Sequence, residues 1–408
     1  MISQQLNDTI TQIGPETEAG AVLRCYWHPA ALVEELEGKL PVPVNLLGER
    51  LALVEDMAGN LELVTRISSK NEPPVFYPSA ADIKIDGKGP SYPVTLKKGI
   101  AFAYLGDGDA PDFPNFDCFR ADDTHVFAFK GLWECNWLQA LEIGIDPAHA
   151  SFLHRFLKED DQADNYGKQF RDKVAQTSIP MTQVLREYPR PEIDVEETDY
   201  GLKITALRHM DNGQTHVRIT NQIFPEAICI PMSREMTITQ WHVPIDDENC
   251  YWYTIFTSFK DPVNKDVMRA QRLKEHELPT YAPLKNRKNF YGYDHKEQAN
   301  ETYTGMGMDI NVHDQWAVEG MGRIQNRTRE HLGRSDKAII RYRRTLRQAI
   351  NAMQEGNRTA LLMQDDENNK KIIGPLSNDA VAPTENWSDA SHQADLERRE
   401  SCPWDASV

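Results

Sequence analysis

Long apolar runs are missing from this 408-residue chain. No stretch approaches the roughly 20 consecutive apolar residues that a membrane-crossing helix needs. Positive charge is scarce, with 45 Lys and Arg against 62 Asp and Glu and a formal net charge of −17. That acidity argues against nucleic acid or an anionic membrane as a partner. The first residues, Met1-Ile-Ser-Gln-Gln-Leu-Asn7, lack a basic stretch followed by an apolar one. No secretory signal is therefore expected, and the chain reads as cytoplasmic. The six cysteines, at 25, 118, 135, 229, 250 and 402, are scattered and make no disulfide framework. The C-x-x-H spacing of Cys25-Tyr-Trp-His28 has no second ligand pair and an aromatic setting, so it reads as a packed segment. No C-x-H pair exists, and internal repeats are not apparent.

What the chain does contain is one stretch dense in chemistry, Glu134-Cys-Asn-Trp-Leu-Gln-Ala-Leu-Glu-Ile-Gly-Ile-Asp146-Pro-Ala-His149-Ala-Ser-Phe-Leu-His154. Glu142, Asp146, His149 and His154 fall within thirteen residues of it. Two neutral imidazoles plus one carboxylate, with coordination positions left open, form the facial triad that suits oxygen-activating Fe(II). His149 and His154 are the candidate imidazoles, and Asp314, in Asn311-Val-His-Asp-Gln315, is the candidate carboxylate. On an ideal α-helix, positions five apart diverge by about 140°. A local π-turn is the expected remedy. From spacing alone a histidine pair in an apolar helix is more often structural than ligating, and the nearby carboxylates bring the two readings level. His125, His209 and His242 have no motif behind them and read as structural.

By length the chain holds one to three domains. Residues 1–41 read as an N-terminal segment with a short helical pattern near Ala31–Glu37. Short strand patterns at Val42–Leu47, Glu49–Glu55, Asn60–Thr65, Tyr92–Leu96 and Gly99–Leu105 predict a small β domain over 42–106. Residues 107–355 form the next unit. Within it, alternation between 180 and 260 predicts an antiparallel sheet of five or more strands. Helices are expected at Asp266–His276, Gln315–Gly320 and Ser335–Gln354, with Ser335 as the last one's cap and Arg341, Arg343, Arg344 and Arg347 solvated. Glu159–Gly167 reads as a loop, and 356–408 as a polar, partly ordered tail. Arg208 and Arg218, on or beside strands, are candidates to face an anionic substrate; exposed or acid-paired arginines are the plain alternative.

Several segments together resemble the phthalate-dioxygenase-like group of Rieske non-haem iron oxygenases. They are Leu23-Arg-Cys-Tyr-Trp-His-Pro29, Pro43-Val-Asn-Leu-Leu-Gly-Glu49, Ala103-Tyr-Leu-Gly106, Cys135-Asn-Trp-Leu-Gln-Ala-Leu-Glu142, Asp146–His154, and Asn311-Val-His-Asp-Gln315 through Arg329-Glu-His-Leu-Gly333. The resemblance implies an α+β chain: a small β domain followed by a helix-grip catalytic domain with an antiparallel sheet and helices. It implies mononuclear Fe(II) on His149, His154 and Asp314, with His313 not a ligand. Asp146 matches the acidic residue that links a ligand histidine to a neighbouring subunit's cluster. Glu142 is placed to orient a ligand histidine, and Asn136 to lie near the iron; for both, ordinary helix roles remain open. The family's β domain holds a [2Fe–2S] cluster through a C-x-H and a C-x2-H pair. Here, after Leu61-Glu-Leu-Val64, the chain runs Thr65-Arg-Ile-Ser-Ser-Lys-Asn71 instead. Both cluster loops read as deleted, so no [2Fe–2S] cluster is expected in this chain.

Three readings follow from the resemblance. The first is a catalytic oxygenase subunit, in a trimer or hexamer, served by a Rieske-containing subunit and a reductase. It would hydroxylate or demethylate an aromatic or related small molecule with O2. The second is a non-catalytic assembly or regulatory subunit. The third is an iron oxygenase fed directly by a reductase.

Overall fold

The computed structural model describes residues 1–69, 71–157 and 179–407. The expected loop Glu159–Gly167 lies outside them. Two antiparallel sheets organise the chain. The first contains β1 (Trp27–Leu32), β2 (Val42–Leu46), β3 (Glu49–Glu55), β4 (Leu61–Ile67), β5 (Lys84–Ile85), β6 (Ser91–Lys97) and β7 (Ile100–Tyr104). Its order is β1-β7-β6-β4-β3-β2, with β5 added to β4. Leu47 and Gly48 join β2 to β3 with φ of 49° and 77°. Both central residues at positive φ make the turn whose twist suits a two-residue hairpin. Between β4 and β6 the chain is short of regular structure but not loose. Arg66 is buried, donates to the Leu51 carbonyl and, with Arg50, holds Glu72 against the sheet.

After a short strand β8 (Asn115–Phe116), the second sheet takes β9 (Val126–Trp133), β10 (Glu192–Thr198), β11 (Gly201–His209), β12 (Gln214–Ile223), β13 (Ala227–Pro231), β14 (Met236–Pro244) and β15 (Cys250–Ser258). The order is β10-β11-β12-β13-β14-β15-β9. β15 is buried at every position, and β12 at all but its first. A sheet covered on both faces reads as continuous rather than alternating hydrophobicity. The Trp137–Gly144 helix packs on β13 and β14 and against the Ile310–Gly320 helix, while the Lys337–Gln354 helix crosses β10 and β11. One contiguous apolar core runs from Ile10 to Trp404 and spans both sheets. Among the described residues no helix is long and apolar enough to cross a membrane.

Several expectations are corrected. The small sheet starts at Trp27, not Val42, because β1 pairs with β7; only Val33–Glu35 of the expected Ala31–Glu37 helix is helical, as a single 3-10 turn. Residues beyond 356 are no loose tail. Asn378–Pro383 adds a strand beside β12, and a fourteen-residue helix, Trp387–Glu400, packs on that strand. The sequence hid this because the tail's ordering comes from buried ion pairs, Arg399 with Asp117 and Asp395 among them, rather than from an apolar stripe. Ser335 belongs to a preceding 3-10 turn, and Asp336 stands at the cap of the Lys337–Gln354 helix. Arg343 is buried rather than solvated, paired with Glu142 and Glu330.

Candidate metal centre

The chemistry-bearing stretch leaves β9 and turns into the Trp137–Gly144 helix. Asn136 caps that helix: its side chain accepts from the Leu138 N–H and donates to the carbonyls of Thr11 and Asp247. After Ile145 the chain turns again. The Asp146 carboxylate accepts from the N–H groups of Ala148 and His149, at 2.8 and 3.1 Å. His149 Nδ1 meets the Asp146 backbone carbonyl. A carbonyl can only accept, so Nδ1 carries a hydrogen, and in the neutral ring Nε2 is the nitrogen with the lone pair. That lone pair faces Asp314, with Nε2 3.6 Å from Oδ1.

His154 Nε2 lies 3.3 Å from the same oxygen, and the two imidazole rings stand nearly perpendicular, at 85° with centroids 5.2 Å apart. No π-turn brings them together. The intervening Ala150–Leu153 is one α-turn, with ordinary i→i+3 and i→i+4 bonds from Phe152 and Leu153 to His149 and from His154 to Ala150. The histidines occupy the two ends of that turn, where the backbone bends away: His154 has φ −95° and ψ 31°. Asp314 comes from the second turn of the Ile310–Gly320 helix, capped by Asp309. One ligand atom from each of the three residues lies within 4.8 Å of the others.

The electrostatics are those of a site short of a cation. Burial pushes the Asp314 carboxyl up to about 7, opposed by His149. Burial, and then the neighbouring His149 and His313, holds His154 well below the usual histidine range. Asp314 Oδ1 is buried and accepts no hydrogen bond among the described residues. Buried polar atoms are rarely left so. Two imidazole nitrogens and an unsatisfied carboxylate oxygen converging on one point fit a divalent metal.

Other expected site residues lie elsewhere. Glu142 does not orient a ligand histidine; it is buried between Arg327 and Arg343, at 2.8 and 2.9 Å. Burial opposes its ionisation, but the two guanidinium groups outweigh it and hold the carboxyl below its ordinary value. Asn136, as a helix cap tied to Thr11 and Asp247, does not reach the centre either. Arg208 is buried behind the histidine turn, donating to the Pro147 carbonyl and Ser151 Oγ, both at 3.0 Å. It braces the turn rather than facing a substrate. Arg218 does line the cavity beside the histidines, with its guanidinium bonded to Asp379 and the Pro231 carbonyl. His313 bonds the Gly307 carbonyl through Nε2 and stacks on His154. His28 is fully buried, with both ring nitrogens engaged, by Glu226 at 2.6 Å and the Leu23 carbonyl at 2.7 Å. It is not available as a metal ligand.

The cavity opens from His149, His154 and Asp314 onto about 750 Å³, counted to open solvent. Its apolar wall is Trp133, Ile143, Ile228, Ile230 and Ile238, and Gln240 and His242 also line it. The sequence did not mark these residues as lining a site, and His242 read as structural. The signal was there in their alternation: 228 and 230, then 238, 240 and 242, put one side of β13 and β14 towards the centre.

A family model described as LigXa C-terminal domain like matches residues 103–400, well over half of the chain. The chain belongs to this family of Rieske-type oxygenase catalytic subunits. Related proteins include the phthalate 4,5-dioxygenase oxygenase subunit of Pseudomonas putida, 26% identical over 87% of this chain and 88% of that protein. Another is the 5,5'-dehydrodivanillate O-demethylase oxygenase subunit of Sphingobium sp. (strain NBRC 103272 / SYK-6), also 26% identical, over 93% of this chain and 88% of the relative. The solved structure of a Pseudomonas putida CBB5 NdmA mutant with theobromine matches 85% of this chain and 97% of its own, with a TM-score of 0.51 and 15% identity. That likeness bears on the fold of the family member, the α+β arrangement with antiparallel sheets.

Proposed function

We propose that the chain is the catalytic subunit of an O2-dependent oxygenase, hydroxylating or demethylating an aromatic or related small molecule. His149, His154 and Asp314 hold one Fe(II), and a separate Rieske-bearing subunit supplies the electrons. The observation that carries this reading is the convergence of two imidazole nitrogens on the Asp314 Oδ1, a buried oxygen with no hydrogen-bond donor among the described residues. Ferrous iron, when bound, supplies the oxygen chemistry.

The chain's own residues do the rest. The Asp146 carbonyl locks the His149 tautomer so that Nε2 is always the free nitrogen. The Asp146 carboxylate holds the turn on which His149 sits, and Arg208 pins the same turn from behind. The isoleucine wall keeps water from the reacting face and gives an apolar ring a surface to lie on. A separate electron source is supported by the ligand inventory. The chain has no C-x-H pair, His28 is committed to protein partners, and five of the six cysteines are buried.

Iron and acid-labile sulfide per chain, measured on protein expressed alone with iron supplied, test the reading. About one iron and no sulfide is expected, with the iron lost in Asp314→Ala and His154→Ala. A chain that stays empty and is indifferent to both substitutions overturns it and leaves a structural subunit.

A further inference from the structure

The cavity wall beyond the metal ligands carries one amide whose orientation is dictated by its neighbours. Ile238, Gln240 and His242 alternate along β14 and face the cavity together, with Ile228 of β13 directly opposite Gln240 in register. His242 is fully buried, and its Nδ1 sits 3.3 Å from the Glu226 carbonyl, which also accepts the His242 backbone N–H at 2.9 Å. Because a carbonyl only accepts, Nδ1 carries the ring hydrogen, and Nε2 is left as an acceptor. Burial pushes this imidazole down to about 4, so it stays neutral and keeps that tautomer at working pH. Nε2 lies 3.0 Å from the Gln240 amide nitrogen, which must therefore be the donor. The relay runs one way, from Glu226 outward. It leaves Gln240 Oε1 on the cavity side as an acceptor, and that oxygen has no partner among the described residues.

We propose that Gln240 is a specificity-determining residue whose Oε1 accepts a hydrogen bond from an O–H or N–H on a largely apolar substrate ring. This deepens the oxygenase reading and rests on it. The ring lies against Ile228, Ile230 and Ile238, and the donor points at Gln240. A site built to accept from a substrate hydroxyl rejects the analogue lacking it, because the acceptor, covered by the bound ring, is then left unpaired. A carboxylate in that position sets acceptor against acceptor. Arg218, the cavity's cation among the described lining residues, is already bonded to Asp379 and Pro231. Turning the Gln240 amide over would place its oxygen against the His242 lone pair, so the selectivity is built into the wall rather than chosen on binding.

Calorimetry on the full chain with p-cresol, p-xylene and p-toluate, which share a toluene ring and differ in the para substituent, tests the proposal. Wild type is expected to bind p-cresol roughly three- to tenfold tighter than p-xylene, the worth of one neutral hydrogen bond, and tighter than p-toluate. Gln240→Leu is expected to abolish the preference for p-cresol. Gln240→Met, of similar length and also without the acceptor, is expected to lose it as well, and guards against a Leu variant that fails to fold. Equal binding of p-cresol and p-xylene, tightest binding of p-toluate, a preference that survives in Gln240→Leu, or no binding of any ring overturns the proposal. Iron content read on the same samples separates an empty metal site from a lost ring preference.

Discussion

Two buried polar clusters, one around Lys130 within β9 and one around His149, His154 and Asp314, are finished to very different degrees. At Lys130 the ammonium is 1% exposed, lies 2.8 Å from Glu35, and stands over the rings of Tyr251 and Tyr281 at 4.6 and 4.8 Å. Its hydrogen bonds extend to the hydroxyls of Tyr77 and Tyr253. Burial disfavours the charge, but Glu35 and the tyrosines outweigh it and hold Lys130 above its ordinary range. After the Trp137–Gly144 helix, His149 and His154 crowd against Asp314, which has no Lys or Arg partner among the described residues, and the carboxyl is pushed up to about 7. The first cluster, tying Glu35 to the second sheet, closes an internal joint. The second is incomplete as protein. Satisfied buried charge marks structure; buried charge that the protein leaves unsatisfied marks a place for something else.

Substitutions should therefore act oppositely at the two clusters. The largest stability effect is expected for Lys130→Met, which strands Glu35 as a buried carboxylate at a cost of about 3–5 kcal/mol. Denaturant midpoints would read it, with iron content unchanged in the protein that remains folded. A loss under about 1 kcal/mol would break the contrast.

A third buried cluster gives a middle case. Burial opposes the ionisation of Asp379, yet His216 and Arg218 hold its carboxyl at about 2. The unfolded value is about 3.9, so the folded pKa is depressed. The pair contributes stability at and above about pH 4, and loses it as pH falls towards 2. Wild type should give up about 2 kcal/mol across that window that Asp379→Asn does not. Urea midpoints against pH would show it, and superimposable acid limbs would refute the assignment.

The smallest effect is expected at the unfinished cluster. Asp314→Asn in metal-free protein should stay within about 1 kcal/mol of wild type or gain stability, because it removes an uncompensated buried charge. A loss comparable to that of Lys130→Met would mean that Asp314 is a structural residue.

The three candidate ligands could be picked out because chemistry restricts residue type: two imidazoles close together in the chain, with carboxylates beside them, are conspicuous whatever the fold. The strands were legible through alternation. Glu142 misled for an instructive reason. Its spacing from His149 suggested a supporting carboxylate, but helical rotation turns it away, towards Arg327 and Arg343 from distant parts of the chain. The polar stretch after 356 misled because ion pairs such as Arg399–Asp117 join residues nearly three hundred positions apart and leave no periodic trace.

The amino-acid sequence by itself determined the two-sheet organisation and marked His149, His154 and Asp314 as candidate ligands, since each depends on residue type and local spacing. Tertiary structure alone decided which carboxylates are paired and which is not, and that the histidines meet from the two ends of one turn. It also decided that Gln240 is oriented by a histidine two residues on, whose tautomer a backbone carbonyl sets. Each of these depends on hydrogen-bond geometry between segments distant in sequence or bent out of ideal helix, and local pattern carries no record of that.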